Sequence, residues 1–259
     1  MMTPASSLSR NGEGLYYMSK TSLGLVLASL LVSGSAFADT FQFLSGGSTI
    51  WNNIYVNPYT ASDTTPGHGS KVLTVYCDDW NTEFSGNPQW TANVYGLTLA
   101  NLSHFRYGNT TLNYNVTLAG NQLSAALSAA PAPFQRYLEA AWLDEQWEKE
   151  LQNNPSTDTQ IKLAAAAWTL FVDEGHVGDL VGRINSSGYA PAVFNYLQAA
   201  ENAVTAGYTA AGWDVIVPVD SSISMQEFLV HTPEPSAVIL LGTVAGFLGL
   251  KKLRRKRRA

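Results

Sequence analysis

The chain has 259 residues, of which 46% are hydrophobic and 14% charged, so it can bury a core and lacks the composition of a disordered protein. Seven of its fifteen basic residues lie in the last nine positions. The segment 39–235 carries six bases against nineteen acids, a net charge of −13, which argues against nucleic acid as a partner. The single cysteine, Cys77, excludes an internal disulfide.

The N-terminal region has the pattern of a secretory signal. Lys20 supplies the positive charge, residues 23–32 are apolar, and Ala36 and Ala38 form a small-residue cleavage site. We predict export by the Sec machinery and cleavage by signal peptidase after Ala38, with translation starting at Met18. An uncleaved membrane anchor is the alternative, although about ten apolar residues are short for a bilayer.

Three features follow one another at the C-terminal end. They are the motif Pro233-Glu234-Pro235, a predicted helix over 236–253, and a basic cluster within 251–258 made of Lys251, Lys252, Arg254, Arg255, Lys256, Arg257 and Arg258. At about 1.5 Å per residue the helix is roughly 27 Å long, close to the thickness of the bilayer core. The positive-inside rule keeps the basic cluster in the cytoplasm and places the preceding chain across the inner membrane.

This tail resembles the PEP-CTERM sorting signal of Gram-negative bacteria, in which a Pro-Glu-Pro motif precedes one hydrophobic helix and an Arg-rich end. The resemblance covers residues 233–259. It implies recognition by an exosortase-type membrane protease, cleavage near the motif, and transfer to the cell surface or release. The protein is then anchored in the inner membrane before processing and lies outside the cell afterwards, where exopolysaccharide is a candidate partner. A plain single-pass anchor is the alternative.

Between these two signals, the spacing of hydrophobic residues is typical of strands in the first part of the chain and of helices in the next part. Residues 40–118 have the pattern of strands and turns, with strands predicted at 49–56, 71–76 and 112–118 and a loop at 61–70. Helical spacing then predicts three helices. They begin at Pro133, at Asp158 with a stop at Gly175, and at Pro191 with a stop at Gly207.

Two final strands are predicted at 213–219 and 225–230. Strands followed by a helical block and further strands indicate an α+β fold, a strand-rich body with an inserted helical block, in addition to one C-terminal transmembrane helix. We therefore divide the chain into a signal region (1–38), an extracytoplasmic domain (39–230) and a sorting tail (231–259).

Two segments of the body carry a second resemblance. Tyr76, Cys77 and Asp79 lie at the end of a predicted strand, and Ala166 and Trp168 lie at the end of a run of alanines in a predicted helix. They resemble motifs in the thioester domains of bacterial surface adhesins. In that family a Cys and a Gln side chain join in an internal thioester, which can acylate a target amine.

The thioester resemblance spans about residues 70–175 and places the glutamine where this chain has Ala164. Without a carboxamide there, we expect no thioester, a mature protein of unmodified mass, and Cys77 as a small buried thiol. Gln160 lies one turn earlier on the same helical stripe and offers a pairing in a shifted register as the alternative.

Two other chemistries stay open. Cys77 could be the nucleophile of a hydrolase, with His104 or His176 as its base. The segment after the second helix offers oxygen and nitrogen ligands for a divalent metal, namely Asp173, Glu174, His176 and Asp179. A solvated loop is the alternative to that metal site, and we assign no metal and no cofactor.

Taken together, these patterns predict an exported cell-envelope or extracellular-matrix protein that is structural or adhesive and has no catalytic activity. A surface adhesin of the thioester type and a cysteine hydrolase, both acting through Cys77, are the alternatives.

Overall fold

The computed structural model describes nine stretches of the chain, which are 38–47, 49–56, 58–80, 86–110, 117–118, 121–122, 132–153, 156–219 and 225–232. The predicted signal region up to residue 37, which includes Ala36, the sorting tail from Pro233 onwards and most of the predicted strand 112–118 lie outside these stretches. Within the described stretches, no helix combines the length and apolarity that a membrane span requires.

Ten strands are present in the described part of the chain. They are β1 (Asp39–Ser45), β2 (Thr49–Trp51), β3 (Ile54–Val56), β4 (Tyr59–Asp63), β5 (Lys71–Cys77), β6 (Gln89–Gly96), β7 (Thr117–Leu118), β8 (Asn121–Gln122), β9 (Trp213–Pro218) and β10 (Phe228–His231). Six of them form a closed antiparallel barrel in the order β1-β4-β5-β10-β9-β6, with β6 paired back to β1. Closure leaves the barrel no free strand edge.

The alternation of side chains along each barrel strand divides the core into two layers. On β5, Val75 and Cys77 point into the barrel, where they pack with Phe228 of β10 and the rings of the other strands. Tyr76 and Leu229 point outwards and pack with the helices. One layer therefore fills the barrel, and the other joins the barrel to the helical block.

Four α-helices of the described residues form the block on the outer layer, in addition to a short 3-10 helix at Leu99–His104. The α-helices are α1 (Pro133–Gln152), α2 (Thr157–Thr169), α3 (Val177–Ser186) and α4 (Ala190–Thr205). Proline at the first turn favours the start of both α1 and α4. The alanines of α2 allow close approach to its neighbours. The Trp168 indole N–H at the end of α2 donates to the Cys77 carbonyl at 3.0 Å, which fixes α2 to the end of β5.

The predicted mixture of a strand-rich body and a helical block is confirmed, as are helices beginning at Pro133 and near Pro191. The single strand predicted at 49–56 is wrong. Asn52 and Asn53 have φ of 49° and 66°, a left-handed conformation that asparagine tolerates better than most residues, so β2 and β3 form a hairpin around them.

Three predicted boundaries were also wrong. The second helix ends at Thr169 instead of Gly175. Residues 172–176 form a loop, and α3 begins after it at Val177. The predicted loop 61–70 begins with the last three residues of β4. The final strand starts at Phe228, so residues 225–227 form an irregular segment that leads into β10.

Replacing Ala164 by Gln should destabilise the protein by about 1–3 kcal/mol, because no space is available for a longer side chain. Ala164 is fully buried in α2, between Leu163 and Ala165, which are buried as well. The midpoint of urea denaturation should fall. The matched control Ala206→Gln, at the exposed end of α4, should change stability by less than about 0.5 kcal/mol. Equal stability of both variants would contradict the packing of α2.

Candidate functional site

The register between β5 and β10 brings the candidate site together. Cys77 is paired directly with Phe228, so Gln226 is the diagonal neighbour of Cys77, two residues before Phe228. Diagonal residues on adjacent strands lie about 7–8 Å apart and can touch through longer side chains. Gln226 lies in the irregular segment just before β10, and the contact between its side chain and Cys77 shows that both lie on the same side.

The side chains of Cys77 and Gln226 are in direct contact. Cys77 Sγ lies 2.9 Å from Gln226 Oε1, to which the thiol can donate, and 3.3 Å from the Asp79 carbonyl oxygen. The Gln226 amide nitrogen donates to the same Asp79 carbonyl at 3.1 Å. The carboxamide is therefore held against the thiol from both ends. Cys77 is 1% exposed and Gln226 is 8% exposed.

The prediction that the thiol lacks a carboxamide is wrong, since Gln226 supplies one. The thioester resemblance places the glutamine on α2, where Ala164 is enclosed by packing and where Gln160 accepts a hydrogen bond from Thr49 at 2.5 Å. A signal for Gln226 was present in the sequence. It shares the alternation of Phe228 and Val230 in the predicted strand 225–230, where a polar residue at an inward-facing position needs a specific partner.

Arg106 links the chain segments that carry Cys77 and Gln226. Its guanidinium pairs with the carboxylate of Asp79, two residues after Cys77, and donates to the Met225 carbonyl at 2.7 Å. Its backbone N–H donates to Glu227 Oε2 at 2.8 Å. One residue thus binds both neighbours of Gln226 and the segment after Cys77. Sequence reasoning did not single out Arg106, because its partners are 27 to 121 residues away.

Two tyrosines close this polar network. The hydroxyl of Tyr107 donates to Asp79 Oδ1 at 2.6 Å, and that of Tyr137 donates to Glu227 Oε1 at 2.5 Å. The Tyr107 N–H in turn donates to the Tyr137 oxygen at 3.1 Å. The turn that carries Tyr107 needs Gly108, because a Cβ there would lie 1.7 Å from the Leu102 carbonyl oxygen.

Burial dominates the electrostatics of the site. It raises the pKa of the Cys77 thiol well above its usual range, and the carboxyls of Asp79 and Asp78 add to that effect. Burial also raises the pKa of Asp78, whose carboxyl oxygens have no hydrogen-bond partner among the described residues. The pKa of Glu227 rises to about 7 by burial, against the opposing effect of the hydrogen bonds from Arg106 and Tyr137. The thiol is therefore held in its protonated form.

A cavity of about 330 Å³ gives access to the pair. It is lined by nine residues, which are Ile54, Tyr59, Cys77, Asp79, Trp80, Trp168, His176, Asp179 and Gln226. The indoles of Trp80 and Trp168 lie with their centroids 5.0 Å apart. The prediction of a buried Cys77 is confirmed, but the thiol and the carboxamide can both be approached through this cavity.

The two predicted histidines differ in position. His176 lines the cavity with Cys77, whereas His104 stacks on Tyr95 with centroids 4.4 Å apart and is not part of the cavity lining. The predicted metal ligands do not converge. Asp173 accepts from the ring of His176 at 2.7 Å, whereas Asp179 is bonded to Arg183 at 3.0 Å. Among the described residues, these side chains do not form a group of three that could hold a metal ion.

The unfolding free energy should fall as pH rises from about 4.5 to 7. A carboxyl whose pKa is raised by folding keeps its proton in the folded state after the unfolded chain has lost it, so rising pH favours unfolding. Glu227→Gln removes one proton from this linkage. Between pH 4.5 and 7 the unfolding equilibrium constant of the variant should therefore rise less steeply, by a factor of about ten per pH unit. Glu139, with its pKa also raised to about 7, continues to contribute. Parallel profiles for variant and wild type in urea titrations would contradict this result.

Comparisons with known proteins give few matches. No family model matches the sequence, and no curated protein matches it. A solved structure that matches is the N-terminal thioester domain of fibronectin-binding protein SfbI from Streptococcus pyogenes, with a TM-score of 0.40 and 9% identity, covering 76% of this chain and 94% of that chain. A TM-score of 0.40 does not establish a shared fold, and the contact between Cys77 and Gln226 stands independently of this likeness.

Proposed function

We propose that this chain is an exported surface protein that forms an internal thioester between Cys77 and Gln226 and uses it to bind covalently to a target. The observation that carries the proposal is the 2.9 Å contact between Cys77 Sγ and Gln226 Oε1, both of which belong to buried side chains. A buried glutamine in contact with the chain's single cysteine is the pair of groups that the bond requires.

Thioester formation balances without an external reagent. Cys77 Sγ attacks Gln226 Cδ, the Cδ–Nε2 bond breaks, and the thiol proton leaves on ammonia. The bond between Gln226 Nε2 and the Asp79 carbonyl holds the amide in a fixed orientation while Sγ approaches. The low exposure of both residues then protects the product from hydrolysis.

The protein becomes attached to its target when an amine of the target opens the thioester. A primary amine attacks Gln226 Cδ, an amide forms between target and protein, and Cys77 is released as a thiol. Each molecule reacts once, because its carboxamide is consumed, so the protein is adhesive and not an enzyme with turnover. The cavity beside the pair admits a slender nucleophile such as a lysine side chain.

Export and sorting complete the proposal. The predicted secretory signal, the Pro233-Glu234-Pro235 motif and the basic cluster would deliver the domain through the inner membrane to an exosortase-type protease and then to the cell surface or matrix. Gln226 lies only seven residues before Pro233. The reactive bond would therefore sit close to the processed end of the mature protein.

A cysteine hydrolase is the second candidate, because Cys77 and His176 line one cavity. One observation disfavours it. The Cys77 sulfur faces a carboxamide of the same chain, which occupies the position that a substrate carbonyl would need.

The intact mass of the folded protein should be lower than the sequence mass by one ammonia. Methylamine should restore the thiol and add as a methylamide on Gln226. Cys77→Ala and Gln226→Ala should each have the full mass of their sequences and should not react with methylamine. High-resolution mass spectrometry of the intact protein and of its peptides measures all of these outcomes.

Gln160→Ala is the matched control for this experiment. It removes the other glutamine considered, which is bonded to Thr49, and should retain the loss of ammonia. A wild-type protein of full mass would refute the thioester. Rapid labelling of folded wild-type Cys77 by a thiol reagent, together with full mass, would favour the hydrolase.

Surface-located protein should lack the segment Arg254 to Arg258. Moving each Lys or Arg through the bilayer centre costs about 2.5–3.5 kcal/mol, so the basic cluster holds the tail until the chain is cut near Pro233-Glu234-Pro235. Cell fractionation followed by C-terminal peptide sequencing checks this prediction. Surface protein that retains Arg254 to Arg258 would leave a plain membrane anchor as the explanation.

A further inference from the structure

A histidine held by an aspartate lies in the wall of the reactive cavity. The Asp173 Oδ1 atom accepts from His176 Nδ1 at 2.7 Å and from the His176 backbone N–H at 2.9 Å, so ring and backbone are fixed by one oxygen. When Nδ1 carries the proton of this bond, Nε2 carries the lone pair. The imidazole then presents a proton acceptor on the side away from Asp173.

His176 shares its cavity with both members of the thioester pair. Cys77 and Gln226 form one part of the lining, and the indoles of Trp80 and Trp168 form another. His176 comes from the segment before α3 and is itself exposed, so a nucleophile that enters from solvent meets the imidazole in the same space as the bond it attacks.

We propose that His176, oriented by Asp173, is the base that takes the proton of the attacking nucleophile and returns it to Cys77 Sγ. This inference rests on the proposed thioester. As the amine nitrogen bonds to Gln226 Cδ, Nε2 of His176 removes one nitrogen proton. The Cδ–Sγ bond then breaks, the imidazolium gives its proton to Sγ, and the products are an amide, a thiol and a neutral imidazole.

Both halves of this transfer meet a physical need. An amine that has bonded to Cδ carries a positive charge and leaves again unless it loses a proton. The departing sulfur lies in a site where burial raises the pKa of Cys77, so a thiolate is costly there and a proton donor speeds its release. One imidazole in the cavity can serve both steps.

The test measures methylamine addition to the ammonia-depleted protein by intact mass. His176→Gln should retain the loss of ammonia and the thermal midpoint of the wild type, but should react about 10²–10⁴-fold more slowly. Asp173→Asn weakens the hydrogen bond that orients the His176 imidazole, so the rate of methylamine addition should fall less than in His176→Gln. His104→Gln is the matched control, since His104 stacks on Tyr95 outside the cavity, and should react at the wild-type rate.

The pH profile of the rate separates a base from a structural residue. The wild-type rate should show an inflection that His176→Gln removes. The other titratable or charged groups of the cavity and of the adjoining segments remain in the variant, namely Cys77, Asp79, Tyr59, Asp173, Glu174, Asp179 and Arg183. If the wild type loses ammonia and His176→Gln reacts as fast as it does, the role of His176 is refuted while the thioester stands. If the wild type never loses ammonia, both proposals fail.

Discussion

The register of β5 against β10 is the constraint on which the rest of the site depends. Pairing Cys77 with Phe228 makes Gln226 the diagonal neighbour of the thiol, on the same side of the sheet. A slip of one residue would turn the glutamine to the opposite face, towards the helices. Barrel closure fixes this register, because β5 and β10 each have a second partner strand, β4 and β9, that must keep its own pairing.

Two acidic neighbours of the pair, Asp78 and Glu227, are buried, and their burial lowers the stability of the folded protein. Asp78 and Glu227 are fully buried carboxyls near a single guanidinium, that of Arg106, which is already paired with Asp79. Two buried acids are therefore favoured in their neutral forms, as the raised pKa values indicate. Apolar residues at these positions would stabilise the fold more. The polar network instead holds the end of β5 and the start of β10 at a defined distance through Arg106.

Local signals made part of this structure predictable. Prolines marked the starts of α1 and α4, and a high content of β-branched and aromatic residues marked β5 and β9. The hairpin around Asn52 and Asn53 was missed because its turn depends on positive φ, which the apolar pattern does not report. The partner of Cys77 was missed for a different reason. It lies 149 residues away, and only the barrel topology brings the two together.

The position of Gln226 near the C-terminal end of the domain decides how the protein would carry mechanical load. Under the proposed function, a target bonded at Gln226 would be joined to the processed end near Pro233 by only a few residues, most of them in β10. Tension would run along the covalent backbone of that strand, parallel to its axis. Strands β1 to β9 and the helices would lie outside the line of force, so even their unfolding would leave the attachment intact.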